Sequence, residues 1–186
     1  MVTPYLPDII GDIVNRVSQT FNNRYPDNFP VFFEKGLHQQ ASRSVDANTW
    51  LKNGDSLIWL EMPVRINTGN WRVYGEAEGV DLYIMVGTDN TYTQQQRDDA
   101  SFKLRLLPIY GQLVKEINRE RWFSLIPGGI PHTMQLLPFW GLGTTGGSDK
   151  ENALGRFVDA IRVRIPKLGI KKNNNCNAGR EYPVLT

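Results

Sequence analysis

A chain of 186 residues with a net charge of +2, a single cysteine and ordinary apolar and charged fractions is one domain by length, with enough mass to bury roughly 70 % of its unfolded surface in one core. The charge is too small to argue for nucleic acid as the main partner. A lone Cys176 excludes an internal disulfide and makes a reducing cytoplasm the expected place of folding. The opening MVTPYLPDII lacks a basic stretch followed by an apolar one, and no apolar run approaches the ~18 residues of a membrane helix, so neither secretion nor membrane insertion is expected.

Pro7 and Asp8 open a helix predicted over 8–21, with Ile9, Ile10, Ile13, Val14, Val17 and Phe21 on one stripe. The stretch NNRYPDNFP ends it, and VFFE, 31–34, reads as a short strand closed by Gly36. Residues 37–55 are polar and aperiodic, a long excursion of the kind that is usually functional or ordered by a partner. SLIWLEMPV, 56–64, is apolar on both alternating sets apart from Glu61, the pattern of a strand covered on both faces. NTGN, 67–70, reads as a turn into a short strand around 71–74. In 80–86, Val80, Leu82, Ile84 and Val86 take one face of a strand and Asp81, Tyr83 and Met85 the other.

Residues 93–122 carry the strongest helical stripe: Phe102, Leu106, Ile109, Tyr110, Leu113, Val114 and Ile117. Thr93 and Gln96 have capping-box spacing, and Asp98 and Asp99 suit the first turns. Pro108 costs roughly 3 kcal/mol in a helix interior and Gly111 about 1 kcal/mol. A kink or break is therefore expected near Leu107, with the stripe held by burial against a sheet. A Gly/Pro turn at 127–131, a strand at 134–139, a Gly/Thr loop at 141–148 and a last strand at 157–165 follow. In that strand Ile161, Val163 and Ile165 are read on one face and Asp159, Arg162 and Arg164 on the other. Residues 167–186 show no core pattern. The expected fold class is α+β, a mainly antiparallel sheet with two principal helices packed on one face. The expected organisation is one domain over 1–166 and a C-terminal extension over 167–186.

Gly141-Leu-Gly143-Thr-Thr-Gly146 matches the G-x-G-x-x-G spacing of dinucleotide sites. Pro138 before it and Gly147-Ser148 after it do not give the strand and helix that such a site needs, so a mobile loop is the favoured reading, and insertion against another subunit is the role expected if it has one. His38 and His132 have no partner at metal-ligand spacing. Asp89, Asp98 and Asp99 read as helix-start acids rather than a metal cluster. Cys176 has no base nearby, and no serine sits in a G-x-S-x-G setting. No catalytic residue, cofactor or metal is therefore expected. The interface candidates are Trp50, Trp71, Trp122 and Trp140, which lie in or beside loops. Arg162, Arg164, Lys171 and Lys172 join them as the one basic concentration, read as a solvated strand face or as a contact with an acidic partner or passing DNA.

The run DLYIMVGT (81–88), Tyr92, Arg97, Ser101-Phe102-Lys103, Leu107-Pro108-Ile109-Tyr110, Pro131-His132, Trp140-Gly141 and Val158-Asp159-Ala160-Ile161 resembles a set of small proteins of tailed bacteriophages and prophages, crAss-like phages among them. The resemblance covers about residues 8–166. The order of elements is similar to that of tail terminator and neck proteins, a likeness at fold level. It implies a tail terminator-like fold and a non-enzymatic virion protein made in the host cytoplasm. It also implies a homo-oligomeric ring, six- or twelvefold, in the neck or tail, with portal, neck or tail-tube proteins as partners and no membrane or cofactor. A ring closes through a head-to-tail interface, which needs segments that reach the next subunit. The alternatives are a small enzyme or nucleotide-binding protein using an unseen carboxylate pair or the 141–147 loop, and a DNA-contacting adaptor.

Overall fold

The computed structural model describes residues 5–24, 30–37, 56–70, 74–88, 93–124, 127–137 and 157–171. Helix α1 (Leu6–Arg24) buries Leu6, Ile9, Ile10, Ile13, Val14, Val17 and Phe21, the three-to-four spacing of an amphipathic helix. Strands β1 (Val31–Gly36), β2 (Ser56–Glu61), β3 (Arg65–Asn70) and β4 (Tyr74–Thr88) follow. A helix over 94–119 comes next, and β5 (Thr133–Leu137) and β6 (Phe157–Lys171) end the described chain. Among the described residues the six strands make one mostly antiparallel sheet in the order β1-β2-β4-β6-β5, with β3 pairing the first half of β4. Both helices belong to the same core cluster on one face of that sheet. The fold is α+β, as expected.

The sheet is built on β4 and β6, which pair antiparallel from Tyr74↔Lys171 to Thr88↔Phe157. Val80, Leu82, Ile84 and Val86 of β4, with Ile161, Val163 and Ile165 of β6, meet the helices. On the opposite face Leu57, Trp59, Tyr83, Met85, Val158 and Ala160 form a second buried cluster. Strand β2 is buried from Ser56 to Leu60, as its doubly apolar sequence predicts.

Several boundaries differ from expectation for physical reasons. The β1–β2 pair is parallel, and parallel neighbours need a connection of a dozen or more residues; the excursion read over 37–55 has that length and lies, beyond Leu37, outside the described residues. The sequence NTGN is part of β3 rather than a turn. Strand β6 continues to Lys171, with Leu168 and Ile170 buried, so residues 167–171 complete the sheet instead of starting an extension. Their core pattern is hidden because the buried set changes parity: Val80 and Ile165 give way to Ala77 and Leu168 across the Gly79 and Pro166 positions. Gly79 has a φ of 62°, which glycine adopts without the Cβ clash. Pro166 lies beyond the last β5 partner, Arg164, on a stretch of β6 where a missing N–H costs least.

The helix over 94–119 is continuous. Its first turn, α2 (Gln94–Arg97), carries the expected capping box: the Thr93 hydroxyl accepts from Gln96 N–H at 3.3 Å, and Gln96 Oε1 accepts from Thr93 N–H at 2.8 Å. A nine-residue π-helical stretch (Asp98–Leu106) leads into α3 (Leu107–Arg119). The last bond of the π stretch, Leu107 N–H to Phe102 O, stops one residue short of Pro108, which has no N–H to add. The strain expected near Leu107 is thus taken up as a change of hydrogen-bond register rather than a break.

One ion pair fastens this helix to the sheet. Arg97 and Asp159, both fully buried, are joined through an Arg97 Nη2 to Asp159 Oδ1 contact. Asp159 lies opposite Val86 and shares the helix-side face with Ile161; its assignment to the face of Arg162 and Arg164 is corrected, because its charge has a buried partner. Removing one member of such a pair strands the other in a dry site, at a cost of roughly 3–5 kcal/mol, whereas an apolar pair of similar volume is often neutral. Asp159→Ala is expected to lower stability by about that amount, while Arg97→Met with Asp159→Leu returns close to the parent. Urea unfolding followed by tryptophan fluorescence measures both.

Candidate functional site

Three surfaces carry the described candidates. The first is the outer strand β5. Gly128 and Gly129, with φ of 90° and 92°, turn the chain after α3. The side chain of Asn118 accepts from Ile130 N–H at 2.7 Å and fixes the exit. The carbonyl of Ile130 can only accept, so His132 Nδ1 donates to it at 2.9 Å. In the neutral ring Nε2 then accepts from the Tyr110 hydroxyl, at 2.9 Å. These contacts tie the start of β5 to α3. Beyond them Thr133, Met134, Gln135 and Leu136 are all exposed, Met134 by 42 % and Leu136 by 48 %. The two apolar side chains stand opposite Val163 and Ile161, on the helix side of the sheet but outside the cover of the helices.

The second is the sheet face away from the helices. Arg162 donates from Nε and Nη2 to the two carboxylate oxygens of Asp81, both at 2.9 Å, and its guanidinium lies 5.7 Å from the centre of the Tyr83 ring. Glu61, one step beyond the Leu60↔Leu82 pair, takes the hydrogen bond of the Tyr83 hydroxyl. Burial pushes the Tyr83 phenol well above its ordinary range, and the Glu61 carboxylate adds to the shift. Arg164 on the same face is exposed and has no acid partner among the described residues.

The third is a cleft of about 290 Å³ between α1 and the end of α3, lined by Asp12, Arg16, Glu116, Arg119, Glu120 and Trp122 among others. Arg16 bridges the two nearly buried carboxylates, to Glu116 at 3.2 Å and Glu120 at 2.5 Å. The remaining oxygens accept from Gln112 at 2.9 Å and from Trp122 N–H at 3.3 Å. Arg121 stacks on the Trp122 ring at 5.1 Å.

Of the interface residues read from sequence, Trp50, Trp71, Trp140 and Lys172 lie outside the described residues, as do the 141–147 loop, His38, Asp89 and Cys176. Trp122 is half-buried against the core and meets Lys171 through a backbone bond, Lys171 N–H to Trp122 O at 2.7 Å. Arg162 and Arg164 share the opposite sheet face, and Arg162 is committed to Asp81 rather than open to a partner. Asp98 and Asp99 accept from Gln94, Gln95 and Lys103 within their own helix. Sequence reading passed over Met134 and Leu136; the visible signal was a strand, TMQLL, without a single charge.

Among the described residues no group of three or more His, Cys, Asp or Glu side chains is placed to hold a metal ion, and no helix is long and apolar enough to cross a membrane. No protein-family model matches this chain, and no curated protein matches it.

The Tyr83 shift has a stability consequence. A solvated tyrosine ionises near pH 10, so above that value the unfolded chain releases a proton that the folded chain retains, and stability falls as pH rises. The contribution is complete below about pH 10 and is lost as pH climbs toward the higher folded value. The melting temperature of the parent is expected to drop more steeply between about pH 9 and 11 than that of Tyr83→Phe, in thermal melts followed by circular dichroism.

Proposed function

We propose that this chain is a structural, non-enzymatic virion protein, the subunit of a homo-oligomeric ring, six- or twelvefold, in the neck or tail of a tailed bacteriophage. Its neighbours in that setting are portal, neck or tail-tube proteins. The observation that carries the reading is β5. An outer strand exposed from Thr133 to Leu136, with two large apolar side chains and no charge, is the kind of edge that pairs with another chain unless it is guarded. A ring closes through one head-to-tail contact repeated from subunit to subunit, and an unguarded strand can supply one side of it.

The residues behind the resemblance support the same reading, because those in the described chain hold the fold together. Arg97 pairs with Asp159, Tyr110 with His132, and Phe102, Ile109 and Ile161 are core. The carboxylate pairs an enzyme could use are already engaged: Glu116 and Glu120 in the cleft by Arg16, Asp81 by Arg162 and Glu61 by Tyr83. Where the ring meets passing DNA, exposed Arg164 is one described cation that can touch it, as a salt-sensitive contact.

The chain produced together with the portal and tail-tube proteins encoded beside it is expected to form closed rings of six or twelve copies. Light scattering after size exclusion and negative-stain images provide the readout. A protein that stays monomeric in the presence of those partners would defeat the proposal.

A further inference from the structure

We infer that β5 is also the self-contact of the free protein: before assembly, two copies of this chain close their β5 edges on each other as an antiparallel twofold pair, which must open before the strand can serve in a ring. The inference rests on the reading of β5 as an assembly strand and adds the partner it holds beforehand.

The residues of the strand select the register. Among the described residues β5 pairs with β6 alone, so its other edge borders no described strand. Natural edges are commonly guarded by lysine, proline, inward charges or bulges, and Thr133-Met-Gln-Leu-Leu137 contains none of these. Set against a second copy about a twofold axis through Gln135, Met134 of each chain lies opposite Leu136 of the other and Thr133 opposite Leu137. The register keeps Pro131 and Pro138 outside the ladder. A one-residue slip would turn the apolar side chains to the wrong face. A shift that centres on Met134 or Leu136 sets one apolar side chain opposite His132 or Pro138 instead of an apolar partner. The twofold axis runs through the sheet, so the Met134 and Leu136 side chains of both copies meet on the helix side, where each copy leaves them about half exposed. Uncharged against uncharged, the pairing is complementary to itself, which is what an isologous contact requires. Five residues a side make a small contact, in the range where associations are transient; this suits a pair that must exchange for a ring contact.

The register makes a sharp test. Across a twofold antiparallel pair the central residue faces its own copy at a Cα separation of roughly 4.5–5.5 Å, within disulfide reach, whereas two copies of residue 134 sit on a diagonal of roughly 7–8 Å, outside it. In full-length protein carrying Cys176→Ser, Gln135→Cys is expected to give a covalent dimer, twice the 21.2 kDa chain, on mild oxidation and a non-reducing gel. Met134→Cys is expected to remain mostly uncrosslinked, and adding Leu136→Lys to Gln135→Cys is expected to reduce the dimer at least tenfold. A Gln135→Cys protein that stays monomeric, or crosslinking that is equal at 134 and 135, overturns the inference. Rings formed with partners by a Gln135→Cys chain that never crosslinks would sink this self-contact and leave the ring standing. Efficient crosslinking of Gln135→Cys in a chain that never forms rings would do the reverse.

Discussion

Arg97 and Asp159 are two full charges with no measurable exposure, and that burial sets the terms for the rest of the molecule. Desolvating a guanidinium and a carboxylate costs several kcal/mol each, recovered only when the two meet in good geometry. The first turn of the long helix must therefore reach the start of β6, 62 residues later in the chain. Once it does, Phe102 and Leu106 fall on the helix-side face of β4 and β6, α3 lies beside α1, and Arg16 of α1 can bridge Glu116 and Glu120. The capping box at Thr93 and the apolar stripe stabilise a helix somewhere in this region; the buried pair fixes its register against the sheet. The value of such a pair lies in specificity more than in net stability, since an apolar replacement often does as well energetically.

Much of this was legible in the residues. The stripe from Phe102 to Ile117 and the alternation from Val80 to Val86 are hydrophobic periodicities, and burial preserves them. What could not be read depends on contacts between distant segments. Parity placed Asp159 with Ile161 all along, yet a charged residue on a core face looks like an error until Arg97 is seen beside it. That β1 and β2 run parallel could not be read from the residues either, and the functional reading of 37–55 lies, beyond Leu37, outside the described residues. Leu168 and Ile170 looked patternless because the alternation shifts at Gly79 and Pro166, a change that only the β4–β6 register exposes. Gly169 belongs to the same stretch: a Cβ there would meet the Ser124 side chain at 2.8 Å, where Ser124 N–H bonds Gly169 O at 2.8 Å.

Several cations of the described chain are paired within its own fold. Arg97, Arg16 and Arg162 each satisfy one or two acids of the same molecule. The pattern of the last strand suggested a basic concentration; of its described arginines, Arg162 is committed to Asp81 while Arg164 is exposed, and the exposed strand β5 is neutral. Association through such a strand rests on backbone pairing and apolar contact, both of which resist salt far better than exposed ion pairs do. It would suit the proposed ring under changing ionic conditions.

The π-helical stretch between Asp98 and Leu106 bears on how this chain tolerates changes in length. A chain shorter by one residue in that stretch would close its ladder with α-type bonds, but Pro108 would then stand in an α-helical interior, where its ring meets the carbonyl four residues back. The i→i+5 ladder holds about one residue more per turn than an α ladder, so losing one residue while the ladder tightens leaves Arg97 facing nearly the same way, still in line with Asp159. A one-residue loss in this segment would therefore be carried best together with replacement of Pro108, since the proline and not the Arg97–Asp159 pair is what the wider ladder accommodates.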